Sequence, residues 1–306
     1  MSFEIKKAER KGACVVISLS GQSGCGKTYS AIRLARGLVG EKGKIGVIDT
    51  EQKRASLYAD IYGGFDVIDL EPPYSPKRYC EAIRTFKEAG YNAVIVDSMS
   101  HEWEGEGSVL DMVDKKKEQS KRSDPGVWAI PKAEHRHLMS YILNCGMHMI
   151  LCFRTKFIME QVVNEDGKKE WVKNPEPKVV TEPNSDYDMT VKISLNKDTK
   201  FPEVVEKCPE GIEYLFKKDD YITEKSGEGI IKWLNNVQRD KDTLIKEGAA
   251  AKDLKSWAAT LNESELYLAH KYRDQILKSK PKQDQKEEQP KEEPQEEPET
   301  ITDVNL

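Results

Sequence analysis

A chain of 306 residues, with 48 Lys and Arg against 53 Asp and Glu, can bury one large α/β core with appendages or two small domains. Its first residues lack the apolar run of a signal peptide and no segment approaches the length of a membrane span, so the expected location is cytoplasmic. The net charge of −5 sits in residues 281–306, where three Lys meet nine acids for a net of −6; the remaining +1 excludes a strongly basic nucleic-acid binder.

In chain order, the apolar, β-branched run Val15 to Leu19 predicts a buried strand, and Ile32, Leu34, Leu38 and Val39 predict a helix after it. Between them lies G-x-x-x-x-G-K-T, at Gly21, Gly26, Lys27 and Thr28. Glycines there let the backbone curl so that its N–H groups face a phosphate, and the helix adds its positive N-terminal end. Lys27 can reach the β- and γ-phosphates, and the Thr28 hydroxyl can ligate Mg²⁺. The loop predicts a nucleoside triphosphate site, with Gly21, Gln22, Ser23, Gly24, Cys25, Gly26, Lys27, Thr28 and Tyr29 as its binding segment.

Cys25, inside that loop, reads as a small space-filling residue, the alternative being a thiol made reactive by the helix end. The six cysteines (14, 25, 80, 145, 152 and 208) form no C-x-x-C pair and read as reduced thiols rather than disulfides or a zinc site.

Lys44 to Glu51 predicts a second buried strand ending in the acids Asp49 and Glu51, and Phe65 to Leu70 a short third one. Prolines at 72, 73 and 76 punctuate before a helix carrying Tyr79, Ile83, Phe86 and Ala89. Tyr91 to Ser98 predicts a fourth strand, an apolar run ending in Asp97. Strands alternating with helices imply a parallel sheet covered on both faces, with ligands beyond the strands' C-terminal ends. Behind a phosphate loop, Asp97 fits the acid that holds Mg²⁺. Glu51, at the tip of another strand, can polarise a water for attack on the γ-phosphate, the competing reading being a solvated loop acid.

Together the phosphate loop, Asp49-Thr50-Glu51 and Asp97-Ser98 resemble the RecA/RadA class of ATPases, in which the acid of the D-x-E segment is the catalytic base. The run Asp97-Ser-Met-Ser-His-Glu-Trp103-Glu-Gly-Glu-Gly107 is similar to phage-type AAA-family ATPases, which include shortened RecA-like recombination and annealing proteins. The resemblance covers roughly residues 12–215 and implies a RecA-like P-loop NTPase fold. It also implies ATP and Mg²⁺ as cofactors, hydrolysis carried by Lys27, Glu51 and Asp97, and assembly into an oligomer or filament.

Residues 101–123 read as a long connection containing Lys115, Lys116, Lys117, Lys121 and Arg122. The resemblance puts 113–126 and a hairpin over 157–173 against single-stranded DNA. On the hairpin's return arm Lys168, Lys169 and Lys173 can neutralise phosphates while Trp171 stacks on a base; a solvated charged face is the alternative.

Helix 131–145 leads to strand 147–153. Arg154, which follows, falls where such ATPases sense the γ-phosphate, although the RecA pattern usually has an amide there, which leaves contact with nucleotide and contact with DNA as alternatives. His135 and His137 read as packing or surface residues rather than metal ligands. Residues 186–195 predict a strand that pairs with 203–207. In the turn between, the resemblance gives Lys197 and Lys200 a reach into a neighbouring subunit's ATP, against a plain exposed turn.

The expected domains are a core over 1–220, a helical appendage over 221–279 and a disordered acidic tail over 280–306. The function this implies is a Mg²⁺-dependent ATPase acting on single-stranded DNA in phage-type recombination, annealing or replication, with single-strand-binding or other replication proteins as further partners. A helicase loader or motor acting on a protein, and a small-molecule kinase, are the rivals.

Overall fold

The computed structural model describes residues 5, 7–61, 63–119, 125–163, 169–174, 176–183, 185–236 and 239–280. Lys121, Arg122, Lys168 and the acidic tail beyond Lys280 lie outside them. The chain forms two units, residues 1–237 and 238–306.

The first unit opens with β1 (Val16–Gly21), α1 (Lys27–Val39), β2 (Ile45–Asp49), β3 (Asp66–Asp69), α2 (Pro76–Glu88) and β4 (Ala93–Asp97). It continues with α3 (Ser100–Glu104), α4 (Val109–Gln119), α5 (Ala129–Asn144), β5 (His148–Lys156) and the ribbon β6 (Met159–Val163) and β7 (Lys169–Lys173). Then follow β8 (Lys178–Val179), β9 (Val191–Leu195), β10 (Pro202–Lys207) and α6 (Glu224–Asn235).

The main sheet runs β10–β9–β1–β5–β4–β2–β3, with β8 pairing on the end of β5. Neighbours from β9 across to β3 are parallel, and β10 alone on that path is antiparallel to its neighbour. The period of two along each apolar strand divides its side chains between two cores. Ile17, Leu19, Ile95, Ile150 and Cys152 pack with α1 and α6 on one face. Val16, Val94, Val96, Met149, Leu151 and Phe153 pack with α2 and α5 on the other. Burial on both faces is why these strands read as unbroken apolar runs. Mostly parallel, helix-covered and opening with a phosphate loop, this is the RecA-like P-loop NTPase fold.

Three expectations need correction. Residues 101–123 are not one long loop: α3 and α4 occupy most of the span, with Val109 and Val113 buried one helical turn apart. The core does not stop at 220, because α6 is one of its helices. A Cβ on Gly37 would lie 2.0 Å from the Glu224 carbonyl oxygen, and one on Gly227 2.4 Å from that of Leu34. Glycine at both positions lets α1 and α6 approach backbone to backbone, and Arg33 clamps Glu224 with bonds of 2.9 and 2.7 Å. The strand expected from 186 begins only at Val191, after a single 3₁₀ turn over Ser185–Asp188.

The second unit is α7 (Lys241–Ala250), α8 (Leu254–Ala258), α9 (Glu263–Lys271) and α10 (Arg273–Ser279) around Leu244, Leu268 and Tyr272. Asn262 and Glu265 form a reciprocal capping box at the start of α9, as Asn262-Glu-Ser-Glu suggests. No described helix is long and apolar enough to cross a membrane.

Candidate nucleotide site

Parallel strands end together, so β1, β2, β4 and β5 deliver their last residues to one rim of the sheet. Register sets Asp49 beside Asp97, Asp97 beside Cys152, and Gly21 beside Arg154. Residues far apart in sequence become neighbours through these pairings alone.

Gly26, at φ +85°, occupies the N-cap of α1 without a side-chain cap, which leaves the helix's first N–H groups to an incoming anion. Ser23 and Gly24 are exposed at the crest of the loop, whereas Cys25 is fully buried. A Cβ on Gly21 would sit 2.5 Å from the Cys25 Sγ, so Cys25 fills the space beneath the loop, as its small size suggested. Lys27 is buried and bent back, its Nζ donating to the carbonyls of Gly21 (2.9 Å) and Gln22 (3.0 Å). Those are exchangeable resting bonds that a phosphate can replace. Tyr29, on the first turn of α1, lies with its ring centroid 6.1 Å from that of Tyr58 and under the Arg33 guanidinium.

The Thr28 hydroxyl donates to Asp97 Oδ2 at 2.5 Å. Burial pushes Asp97 up to about 6; the Thr28 bond opposes the shift, and the charges of Glu51 and Asp49 add to it. A buried carboxylate beside two other acids, its charge countered by Lys27, is a place where a further cation would be stabilised. The donors are hard oxygens, and no cluster of three or more metal-ligating side chains occurs among the described residues. That set suits Mg²⁺, which keeps its waters and takes substrate oxygens instead of a full protein cage.

The strand-end acids divide their work. Asp49 organises the chain after β2 by accepting from the N–H groups of Glu51 (2.6 Å) and Ala55 (2.8 Å). Thr50 ties that end to β4: its Oγ1 accepts from Ser98 N (2.7 Å) and lies 2.7 Å from His101 Nδ1. Burial, then the Arg154 charge, lower the His101 pKa, so this imidazole is neutral at physiological pH. With both ends fixed, Glu51 faces across the rim, and Arg154 grips it through Nε and a terminal nitrogen, each 2.8 Å from Oε1. Arg54 reaches the other oxygen at 3.4 Å. The partnership of Glu51 with Arg154, 103 residues apart, had no sequence signal.

Behind the rim, Glu102 of α3 is buried against His135 of α5, its carboxylate oxygens 3.0 and 3.1 Å from Nδ1. This gives His135 the packing role expected of it.

The candidate DNA residues fall into two groups. On α4, Lys115 pairs with Asp111 and Lys117 with Asp114, both at 2.8 Å. Lys116 lies between them on the same helix.

The β6–β7 ribbon is different, because nearly all of it is exposed. Its register puts Met159, Gln161, Val163, Lys169, Trp171 and Lys173 on one face. Glu160, Val162, Glu170 and Val172 share the other. One face therefore carries two cations, no acid, and a Trp171 that is 62% exposed. The other carries the acids.

Residues 13–228 match the AAA domain family, and the chain belongs to it. None of the curated proteins compared matches. Among the solved structures that do is a KaiC-like protein from the hyperthermophilic archaeon Pyrococcus horikoshii OT3. It is 12% identical at a TM-score of 0.37, over 65% of this chain and 81% of that one. The fold assignment rests on this chain's own sheet and loop, not on that likeness.

Proposed function

We propose that this AAA-domain protein is a Mg²⁺-dependent ATPase of RecA-like type that works on single-stranded DNA, in phage-type recombination, annealing or replication. The observation that carries the ATPase reading is the convergence on one rim of a phosphate loop, the Thr28–Asp97 pair at 2.5 Å, and a Glu51 held by Arg154.

Thr28 and Asp97 hold Mg²⁺, which supplies charge neutralisation for the β- and γ-phosphates. Lys27 exchanges its loop carbonyls for phosphate oxygens. Arg154 is the γ-phosphate sensor: the phosphate competes with Glu51 for the guanidinium, and the transfer leaves Glu51 free to accept a proton from the attacking water. Coupling the two events keeps the base occupied until a triphosphate is bound.

The DNA reading is supported by the ribbon. A base can stack on exposed Trp171 while Lys169 and Lys173 on the same face meet the backbone. The near-neutral body makes this binding modest and salt-sensitive. The lysines of α4 add to it, since exposed ion pairs such as theirs are worth only ~0–1 kcal/mol and yield readily to phosphate. Self-association would complete the arrangement, and Lys197, at an exposed turn, would be available to a neighbouring copy's ATP.

The test is steady-state phosphate release from ATP with and without single-stranded DNA. Stimulation that disappears in Trp171→Ala supports the reading. Turnover indifferent to DNA but raised by a protein partner supports a loader or motor instead.

A further inference from the structure

The turn between β9 and β10 is built tightly. Asn196 Oδ1 accepts from the N–H groups of Asp198 (2.9 Å) and Thr199 (3.0 Å), and Lys200 N donates to Asn196 O at 3.1 Å. The turn closes with Lys200 at φ +65°, a left-handed conformation that a side chain other than Gly or Asn seldom adopts. Its place in the fold is fixed as well. Strand β9 is the parallel neighbour of β1, and the Leu195 carbonyl oxygen lies 3.0 Å from where a Gly21 Cβ would be. The turn therefore emerges at the start of the phosphate loop of the same chain.

Lys200 uses that position. Its Cβ, Cγ and Cδ lie 3.6, 3.9 and 4.0 Å from the point a Cβ on Gly26 would occupy, so its stem runs along the loop at the N-cap of α1. Its Nζ donates to the Lys197 carbonyl. This is the posture of Lys27, whose ammonium also rests on carbonyls of its own loop. Two lysines, one buried in the loop and one lying over it, are each parked on bonds that an anion can replace. Lys197, by contrast, is exposed and offers only its carbonyl to this arrangement.

We infer that Lys200 is a phosphate-binding residue of its own chain's nucleotide site, acting in cis, and not a residue that reaches into a neighbour's. The inference rests on the nucleotide reading of the loop. The stem lies at Gly26, beside the N–H groups that cradle the α- and β-phosphates, so its ammonium serves those phosphates in preference to the γ-phosphate. Lys200 therefore contributes to ADP and ATP alike. A lysine acting on a neighbour's γ-phosphate would contribute to ATP alone and only in assembled protein.

The experiment is a titration of fluorescent ADP and ATP analogues with Mg²⁺, at protein concentrations where sedimentation shows monomers. Lys200→Gly suits the left-handed backbone and removes the cation, and Lys200→Gln checks that result with the stem retained. Both should weaken ADP and ATP binding by a similar factor of about 10 to 100, the worth of one charged hydrogen bond. Lys200→Arg should restore most of the affinity, and melting curves should confirm folded protein throughout. Unchanged affinity in the monomer overturns the inference. So does a loss confined to ATP and to concentrations at which chains associate. Wild-type protein that binds neither nucleotide would overturn the loop's own assignment first, and this inference with it.

Discussion

Asp97→Asn separates the stability of the fold from the charge proposed to hold Mg²⁺. Burial raises the acid from 3.8 to about 6, roughly two pKa units at ~1.36 kcal/mol each, so ionised Asp97 costs the nucleotide-free protein about 3 kcal/mol near neutral pH. The variant keeps an oxygen to accept from Thr28 and removes one of three neighbouring negative charges. Its new N–H₂ must find acceptors, which offsets about 1 kcal/mol. The net expectation is a gain of about 2 kcal/mol, which for a unit of this size raises the melting temperature by roughly 4–8 °C.

The sign with pH follows from the direction of the shift. The folded state holds the proton more tightly than the unfolded one. Stability from the protonated acid is therefore fully present below the unfolded value of 3.8 and is lost as pH rises through about 6. Wild type should close the gap as pH falls from 7.5 to 5. The assay is a pair of thermal melts in EDTA at those two values, alongside nucleotide binding with and without Mg²⁺. A variant no more stable than wild type at pH 7.5, or a gap that does not change with pH, would refute the reasoning.

Arg154→Ala should weaken ATP binding by about 10-fold or more while leaving ADP unchanged, since it removes one charged contact to the γ-phosphate; an unaltered ATP-to-ADP affinity ratio would end its role as sensor. Trp171→Ala should cost ~1–3 kcal/mol of single-stranded DNA binding without changing DNA-independent turnover, measured by anisotropy and phosphate release. Equal DNA affinity would move the contact off the ribbon. Gly37→Ala should destabilise the first unit by at least ~1–3 kcal/mol in a denaturant titration, because a methyl group there meets the Glu224 carbonyl oxygen at 2.0 Å. An unperturbed midpoint would contradict the close crossing of α1 and α6.

What could be read from the sequence was local. The phosphate loop is eight consecutive residues, and strands buried on both faces announce themselves as β-branched runs, so β1, β2, β4 and the Asp97 terminus were legible. Tertiary relations were not. Nothing near Glu51 foretells Arg154, which arrives through the β1–β5 pairing. The density of charge from Asp111 to Glu118 conceals the Val109–Val113 spacing that buries α4, because Lys115 and Lys117 pair with acids along the helix surface instead of marking a loop. The limit of the core is hidden for a similar reason: α6 has an ordinary helical period, and its packing on α1 shows in Gly37 facing Gly227 and in Arg33 on Glu224. The sequence marks Lys200 as a turn lysine, but its place along the phosphate loop depends on where β9 lies.

Phosphate release from Mg²⁺–ATP by the wild-type protein, measured beside Lys27→Ala and Glu51→Gln, tests the central claim most directly. Wild type should turn over. Lys27→Ala should neither bind nor hydrolyse, and Glu51→Gln should bind ATP while losing on the order of 10² to 10⁴ in rate. Turnover undiminished in a folded Lys27→Ala protein, or in Glu51→Gln, would contradict the assignment of this rim as the site of hydrolysis.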